Sequence, residues 1–173
     1  DYDYRTLFEV YRERKKENDK LVVKVNPSYH FTTNSPLRPM SGISNSETLY
    51  CNENGYYVFY DSDRYGFRNI NLSWDDKIEI MVLGDSFAQG ACVNDDKLIS
   101  NQLNYKVINT SYVGMGPLSQ LATLKEYYSI ADPKIVLWFY SEGNDLFNLK
   151  NELKDKILKN YLSSSKFTQN LIN

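Results

Sequence analysis

Long hydrophobic runs are missing from this chain. The longest, "IVLWFY" from Ile135 to Tyr140, falls far short of the roughly 18 apolar residues that a membrane-spanning helix requires. An excess of one charge is missing as well. The 20 Lys and Arg offset 22 Asp and Glu to a net −2, which gives no electrostatic footprint for nucleic acid and sets that partner class aside. Cysteine is scarce. Cys51 and Cys92 are too few for a disulfide scaffold and lack metal-ligand spacing, and a single bridge and two buried free thiols are equally open. Histidine is scarcer still, with His30 in "NPSYHFTT" the only one. The opening "DYDYRTLFEVYRERKKENDK" is charged throughout and does not read as a signal peptide.

What is present is the composition of an ordinary globular protein, 42% hydrophobic and 24% charged, in a length that suits one domain with a leading segment. The 15 tyrosines suit a sugar-facing or interface surface. They also suit a β-rich core, which we expect of most of them.

Three regions separate along the chain. Residues 1–20 read as a charged helix, with Leu7, Val10 and Tyr11 on a thin apolar face, which predicts a solvated surface helix rather than a membrane-surface one. Residues 21–77 carry Pro27, Pro36, Pro39, Gly42, Gly55 and Gly66 among short strand-like pieces, which predicts a loop-rich layer with one or two short strands. Residues 78–173 are regular. "KIEIMVLG" reads as a buried strand, and "NDDKLISNQLN" as a helix presenting Leu98, Ile99 and Leu103 inward. "YKVIN" reads as a second strand, and "GPLSQLATLKEYY" as a helix with Pro117 in its first turn. "KIVLWFY" reads as a strand covered on both faces, and "NDLFNLKNELKDKILKNYL" as a further helix. Alternation of this kind argues for an α/β fold with a parallel sheet.

In such sheets the site lies beyond the carboxyl ends of the strands. Polar motifs end all three strands here: Gly84-Asp85-Ser86, the stretch from Asn109 to Gly114, and Gly143-Asn144-Asp145. Each alone reads as a helix cap or turn. Together they meet the demands of acyl transfer, with Ser86 as nucleophile at a strand-to-helix turn whose amino end favours negative charge. The Ser86 and Gly114 amides and the Asn144 side chain would serve as oxyanion donors, each typically worth about 3–4 kcal/mol in the transition state.

These blocks resemble those of the SGNH (GDSL-type) hydrolases. "GDSFAQG" is similar to the first block with Ser86 as nucleophile, "NTSYVGMGP" to the second with Gly114, and "EGND" to the third with Asn144. The resemblance covers about half the chain, from Ile78 to about Leu162. It implies a three-layer, flavodoxin-like parallel sheet with an irregular N-terminal extension. It also implies a serine ester hydrolase acting on a small or carbohydrate-linked ester, with no metal and no cofactor. A catalytically inactive binding module and an O-acyltransferase are the alternatives.

The segment "CNENGYYVFYDSDRYGFRN" resembles one that precedes the first block in a bacterial subset of the family. The subset implies a membrane anchor upstream and an extracytoplasmic location. There Arg68 and Asn69 would line the mouth of the site, but a turn held by Gly66 and Asp63 is the reading we prefer.

One departure is serious. The family's last block, Asp-x-x-His, which supplies the general base, has no match here. We expect the base, with the remaining strands, to lie outside these 173 residues, and His30 to lie away from Ser86. A sheet that stops at "KIVLWFY" would leave Trp138 and Phe139 at an unpaired apolar edge. Such an edge would be covered by a downstream segment, a second copy or residues 21–77, and we expect the first.

Overall fold

The computed structural model describes residues 2–32 and 34–172, and their side chains except those of residues 30–32. The chain is a mixed α/β structure. It holds two small sheets and, among the described residues, six helices.

Helix α1 (Leu7–Arg14) starts where Thr6 and Glu9 cap each other's backbone N–H groups reciprocally. Its thin apolar face packs inward, with Val10 buried against Leu21 and Leu49 and Leu7 and Tyr11 beside it, while the rest of α1 is exposed, as expected of a solvated surface helix. The surface it covers belongs to a sheet of β1 (Val22–Val23), β2 (Glu47–Leu49) and β3 (Phe59–Asp61), with β1 parallel and β3 antiparallel to β2. Glu47 fastens the helix, accepting from Arg14 Nη2 at 2.6 Å, Arg14 Nε at 3.2 Å and Asn18 Nδ2 at 2.9 Å. The leading layer thus has three short strands where one or two were expected.

The second sheet is wholly parallel, in the order β5 (Val107–Asn109), β4 (Ile80–Leu83), β6 (Ile135–Trp138). Strand β4 is central, and its alternate side chains enter different clusters, as a period of two dictates. Met81 and Leu83 join Ile108, Leu118, Ala122, Leu158 and Tyr161, whereas Ile80 and Val82 join Ala88, Leu103 and Leu137. The first cluster is supplied by α4 (Pro117–Ala131) and α6 (Lys156–Ser163). The second contains Ala88 of α2 (Ser86–Gln89).

Three expectations fail locally. "NDDKLISNQLN" is not one helix but a 3-10 turn (Asp95–Lys97) and a short α3 (Ile99–Gln102), broken at the extended Leu98, and Ile99 faces solvent. The last helical stretch divides into α5 (Asp145–Glu152) and α6, because the Asp155 carboxylate caps Leu158 N and also holds the buried Arg38. After α6 the described residues form no further strand, and Phe167, Leu171 and Ile172 pack against the larger core. Finally, β6 is not covered on both faces, with Trp138 45% exposed, while among the described residues it does lie at the sheet's edge, as expected. The strands of residues 21–77 pair among themselves and leave that edge uncovered.

The leading layer is tied to the parallel sheet by covalent and polar links. Cys51 and Cys92 form a disulfide, which settles the alternative left open above. Within "SDRYGFRN" the buried Asp63 accepts the N–H groups of Tyr65 and Phe67, the Asn69 amide and the Trp74 indole, around Gly66 at φ 85°. The preferred turn is therefore what forms. From it Arg68 reaches the carbonyls of Gly90 and Val93 and the carboxylate of Asp95. Asn69 exchanges two hydrogen bonds with the backbone of Asn109, standing in for a neighbouring strand.

Candidate functional site

Residues 84–86 leave the central strand and enter α2 directly. The cap of α2 is Asp85, not Ser86: its Oδ1 accepts the Phe87 N–H at 2.9 Å. Ser86 is the first helical residue, partly exposed, and no described residue hydrogen-bonds its hydroxyl. A serine that does not cap is spared for other chemistry. The helix it opens is a single turn, however, so the expected pull of a helix dipole on negative charge is small.

The other oxygen of Asp85 reaches across the sheet. Asn144, the residue before α5, donates its Nδ2 to Asp85 Oδ2 at 2.8 Å, a contact between the carboxyl ends of β4 and β6. The Asn144 side chain is thereby held beside the residue that precedes Ser86, while its Oδ1 is buried without a partner in the structure. Asp145, completely buried, accepts the Ser141 N–H at 2.7 Å. Burial raises its carboxyl above the ordinary carboxylate range. The Ser141 amide opposes that rise and the nearby Asp85 carboxylate adds to it.

Gly114 lies in the loop from β5 to α4. Its φ of 76° is left-handed, and a Cβ there would fall 2.2 Å from Asn26 Oδ1. Only glycine fits this approach to the leading layer. The loop is fastened to α2 through the buried Gln89, whose Oε1 accepts both the Val113 N–H at 2.9 Å and the Tyr50 hydroxyl at 2.7 Å. Asn109 adds a second tie, donating to the Ala88 carbonyl at 2.8 Å and accepting the Ser111 N–H. The Ser111 hydroxyl is buried without a partner.

Ser86 and Asn144 are therefore linked through a single residue, Asp85. Gly114 shares a loop with Val113 and reaches α2 through Gln89, but no hydrogen bond joins Gly114 to Ser86 or Asn144. Gln89 and Ser111 were not singled out from the sequence, and Asp85 was named only as part of its strand-end tripeptide, with no role of its own. The signal for Gln89 was present, as a lone amide in the apolar surroundings of "SFAQG". The Asn144 partner of Asp85 lies at another strand end and leaves no local trace.

Arg68 and Asn69 do not line this region. Their hydrogen bonds go to backbone and to the carboxylates of Asp95 and Asp63, and both border a groove of about 490 Å³ together with Asp61, Asp95, Ser100 and Val107. Ser86, Gly114 and Asn144 are absent from its walls. The side chain of His30 lies outside the described residues, so its expected distance from Ser86 has no structural counterpart. Among the described residues, no group of three His, Cys, Asp or Glu could hold a metal ion, and no helix is long and apolar enough to cross a membrane. No family model matches the chain, and comparison with curated proteins and with solved structures finds no match either.

Proposed function

We propose that the chain is an SGNH-type serine ester hydrolase in which Ser86 forms an acyl-enzyme. One observation carries the reading. The strand order β5-β4-β6 reverses direction at the β4–β6 junction, where ligand crevices form in open α/β sheets. Ser86 and Asn144 follow those two strand ends and are linked by the Asp85–Asn144 hydrogen bond. That order also agrees with the first three strands of a flavodoxin-like sheet, and the separate clusters on the two faces of β4 support three layers.

In this mechanism the Ser86 oxygen attacks the carbonyl carbon of an ester. The developing oxyanion accepts N–H groups from Ser86, Gly114 and the Asn144 amide, and collapse of the tetrahedral intermediate expels the alcohol. Nδ2 of Asn144 carries two hydrogens, so one can stay with Asp85 while the other serves the oxyanion. The serine proton passes to an imidazole, for which the described side chains supply no candidate. Water then releases the acyl group; a sugar hydroxyl in place of water would make the same site an O-acyltransferase. Small or carbohydrate-linked esters are the substrate class. The Cys51–Cys92 bridge agrees with an oxidising, extracytoplasmic setting, where disulfides persist.

Short-chain aryl esters test the proposal. A longer form of the protein that carries the general base expected outside residues 1–173 should hydrolyse them, and Ser86→Ala in it should abolish turnover while leaving the thermal transition in place. Equal turnover by the variant would show that the activity has another source, whereas none by the parent would favour a non-catalytic binding module with the same fold.

A further inference from the structure

We propose that the groove along the outer edge of β5 binds a neutral saccharide through a pair of adjacent hydroxyls. The floor of the groove carries the argument. Thr110 donates its N–H to the Val82 carbonyl at 2.9 Å and Ile80 donates to the Lys106 carbonyl at 3.1 Å, so the even-numbered residues of β5 face β4. By the two-residue period of a strand, the N–H and C=O groups of Val107 and Asn109 face the other way. At Asn109 both are satisfied, by the two ends of the Asn69 amide. At Val107 neither has a partner among the described residues, and Val107 lines the groove. The flavodoxin-like order adds further strands beyond β6 and leaves β5 outermost, so this edge does not depend on them.

The walls bring unspent polar groups to the same place. Ser100 is 8% exposed, yet its hydroxyl has no hydrogen-bond partner among the described residues. A hydroxyl buried in that way costs free energy until a partner enters. The Ser73 hydroxyl is likewise unpartnered. Asn101 spends its Nδ2 on the Asp95 carbonyl and keeps its Oδ1, and Asp95 spends one carboxylate oxygen on Arg68 and keeps the other. An adjoining cavity of about 300 Å³ shares Ser73, Ser100 and Val107 with the groove and is bordered by the exposed Tyr105.

These groups select the ligand. The outward N–H and C=O of one strand residue lie side by side and point the same way, which is why a single primary amide serves both at Asn109. Two hydroxyls on neighbouring carbons present the same pair, one accepting and the other donating. Anions are disfavoured. Every nitrogen of Arg68 is engaged with Gly90, Val93 or Asp95, Lys106 is paired with Asp76, and Asp61 and Asp95 leave the groove net negative. An extended peptide also carries a donor–acceptor pair, but strand addition draws its specificity from pockets for alternate side chains. The walls beside Val107 offer hydroxyl, amide and carboxylate groups instead, and Tyr105 adds a flat face for the C–H side of a sugar ring.

Ser86, Gly114 and Asn144 are absent from these walls, so the inference does not depend on their chemistry and is tested without an ester. Cellotriose, mannotriose and maltotriose present different diol geometries and are titrated into ¹⁵N-labelled protein. At least one should bind with a dissociation constant of about 1 mM or tighter and move the Val107 amide downfield as it gains an acceptor. Ser100→Ala should weaken that binding about tenfold, the equivalent of one hydrogen bond. Asn101→Trp fills the groove from an exposed position and should abolish binding, and both variants should keep the thermal transition. The per-O-methylated form of the same trisaccharide has no hydroxyl to donate and should not bind. No response at Val107 to any of the three sugars at about 10 mM would overturn the proposal. Undiminished binding by either variant, or of the methylated sugar, would do the same. So would binding of N-acetyl-trialanine amide in place of the sugars, which would assign the groove to strand addition by a peptide.

Discussion

Reduction of the Cys51–Cys92 bridge provides a quantitative test of how the leading layer is held. The bridge spans a sequence separation of 41 and joins the chain just after β2 to the turn that follows α2. On the chain-entropy account, a closed loop of that length removes about 13 cal/mol/K from the unfolded ensemble, or about 4 kcal/mol at 25 °C. For a chain of this size each kcal/mol is worth roughly 2–4 °C, so reduction should lower the midpoint by roughly 8–16 °C. The native contacts nearby should survive. Arg68 still holds the Gly90 and Val93 carbonyls, and Gln89 still accepts from Tyr50. Unfolding should therefore remain a single cooperative transition at the lower temperature. The assay is circular dichroism on heating and in urea, with and without reductant, repeated on Cys51→Ala/Cys92→Ala. Stability within about 1 kcal/mol of the oxidised protein in both experiments would refute the loop-entropy reasoning. Two separate transitions would show that the leading layer is held by the bridge alone.

Other perturbations follow from individual contacts. The Arg14 guanidinium, with the Asn18 amide, holds the Glu47 carboxyl below its ordinary value of 4.5, so its stabilisation is complete above that value and is lost as pH falls through the lowered one. Because Arg14 is partly exposed, Glu47→Gln should cost about 0.2–1 kcal/mol at pH 7. The difference from the parent in urea titrations should shrink to nothing in acid, and one that grew there would contradict the sign. Asp155→Ala removes the cap of α6 and the carboxylate beside buried Arg38, and should cost about 3–5 kcal/mol in the same titrations. A loss below 1 kcal/mol would mean that Arg38 finds water or another partner at little cost. Gly114→Ala must place a Cβ at positive φ against Asn26, and should destabilise by about 1–3 kcal/mol while lowering ester turnover. Full stability in that variant would mean that Asn26 moves aside freely.

Legibility from sequence followed the range of the interactions. Strand β4 was readable because an aliphatic run ends at Gly84, and α4 because Pro117 opens it and Leu118 begins an apolar periodicity. The edge position of "IVLWFY" was read from the strand count, but the exposure of its faces at Ile135 and Trp138 was not, because the run records hydrophobicity and not which helices cover it. The division between α5 and α6 is decided at Asp155, whose burial depends on Arg38, 117 residues away. Two- and three-residue strands such as β1 and β2 are too short for any period-two signal. At the candidate site the motif residues were visible as strand-end tripeptides. The Asp85–Asn144 contact, across 59 residues, came only with the fold.

The central claim is that Ser86 is a nucleophile. A fluorophosphonate, which reacts with an activated serine to leave a stable phosphonyl ester, tests it most directly when the adduct is located by mass spectrometry. We predict one adduct, on the tryptic peptide between Lys77 and Lys97 and at Ser86 within it, absent from Ser86→Ala. Labelling at another residue, or an adduct that persists in the Ser86→Ala protein, would contradict the assignment.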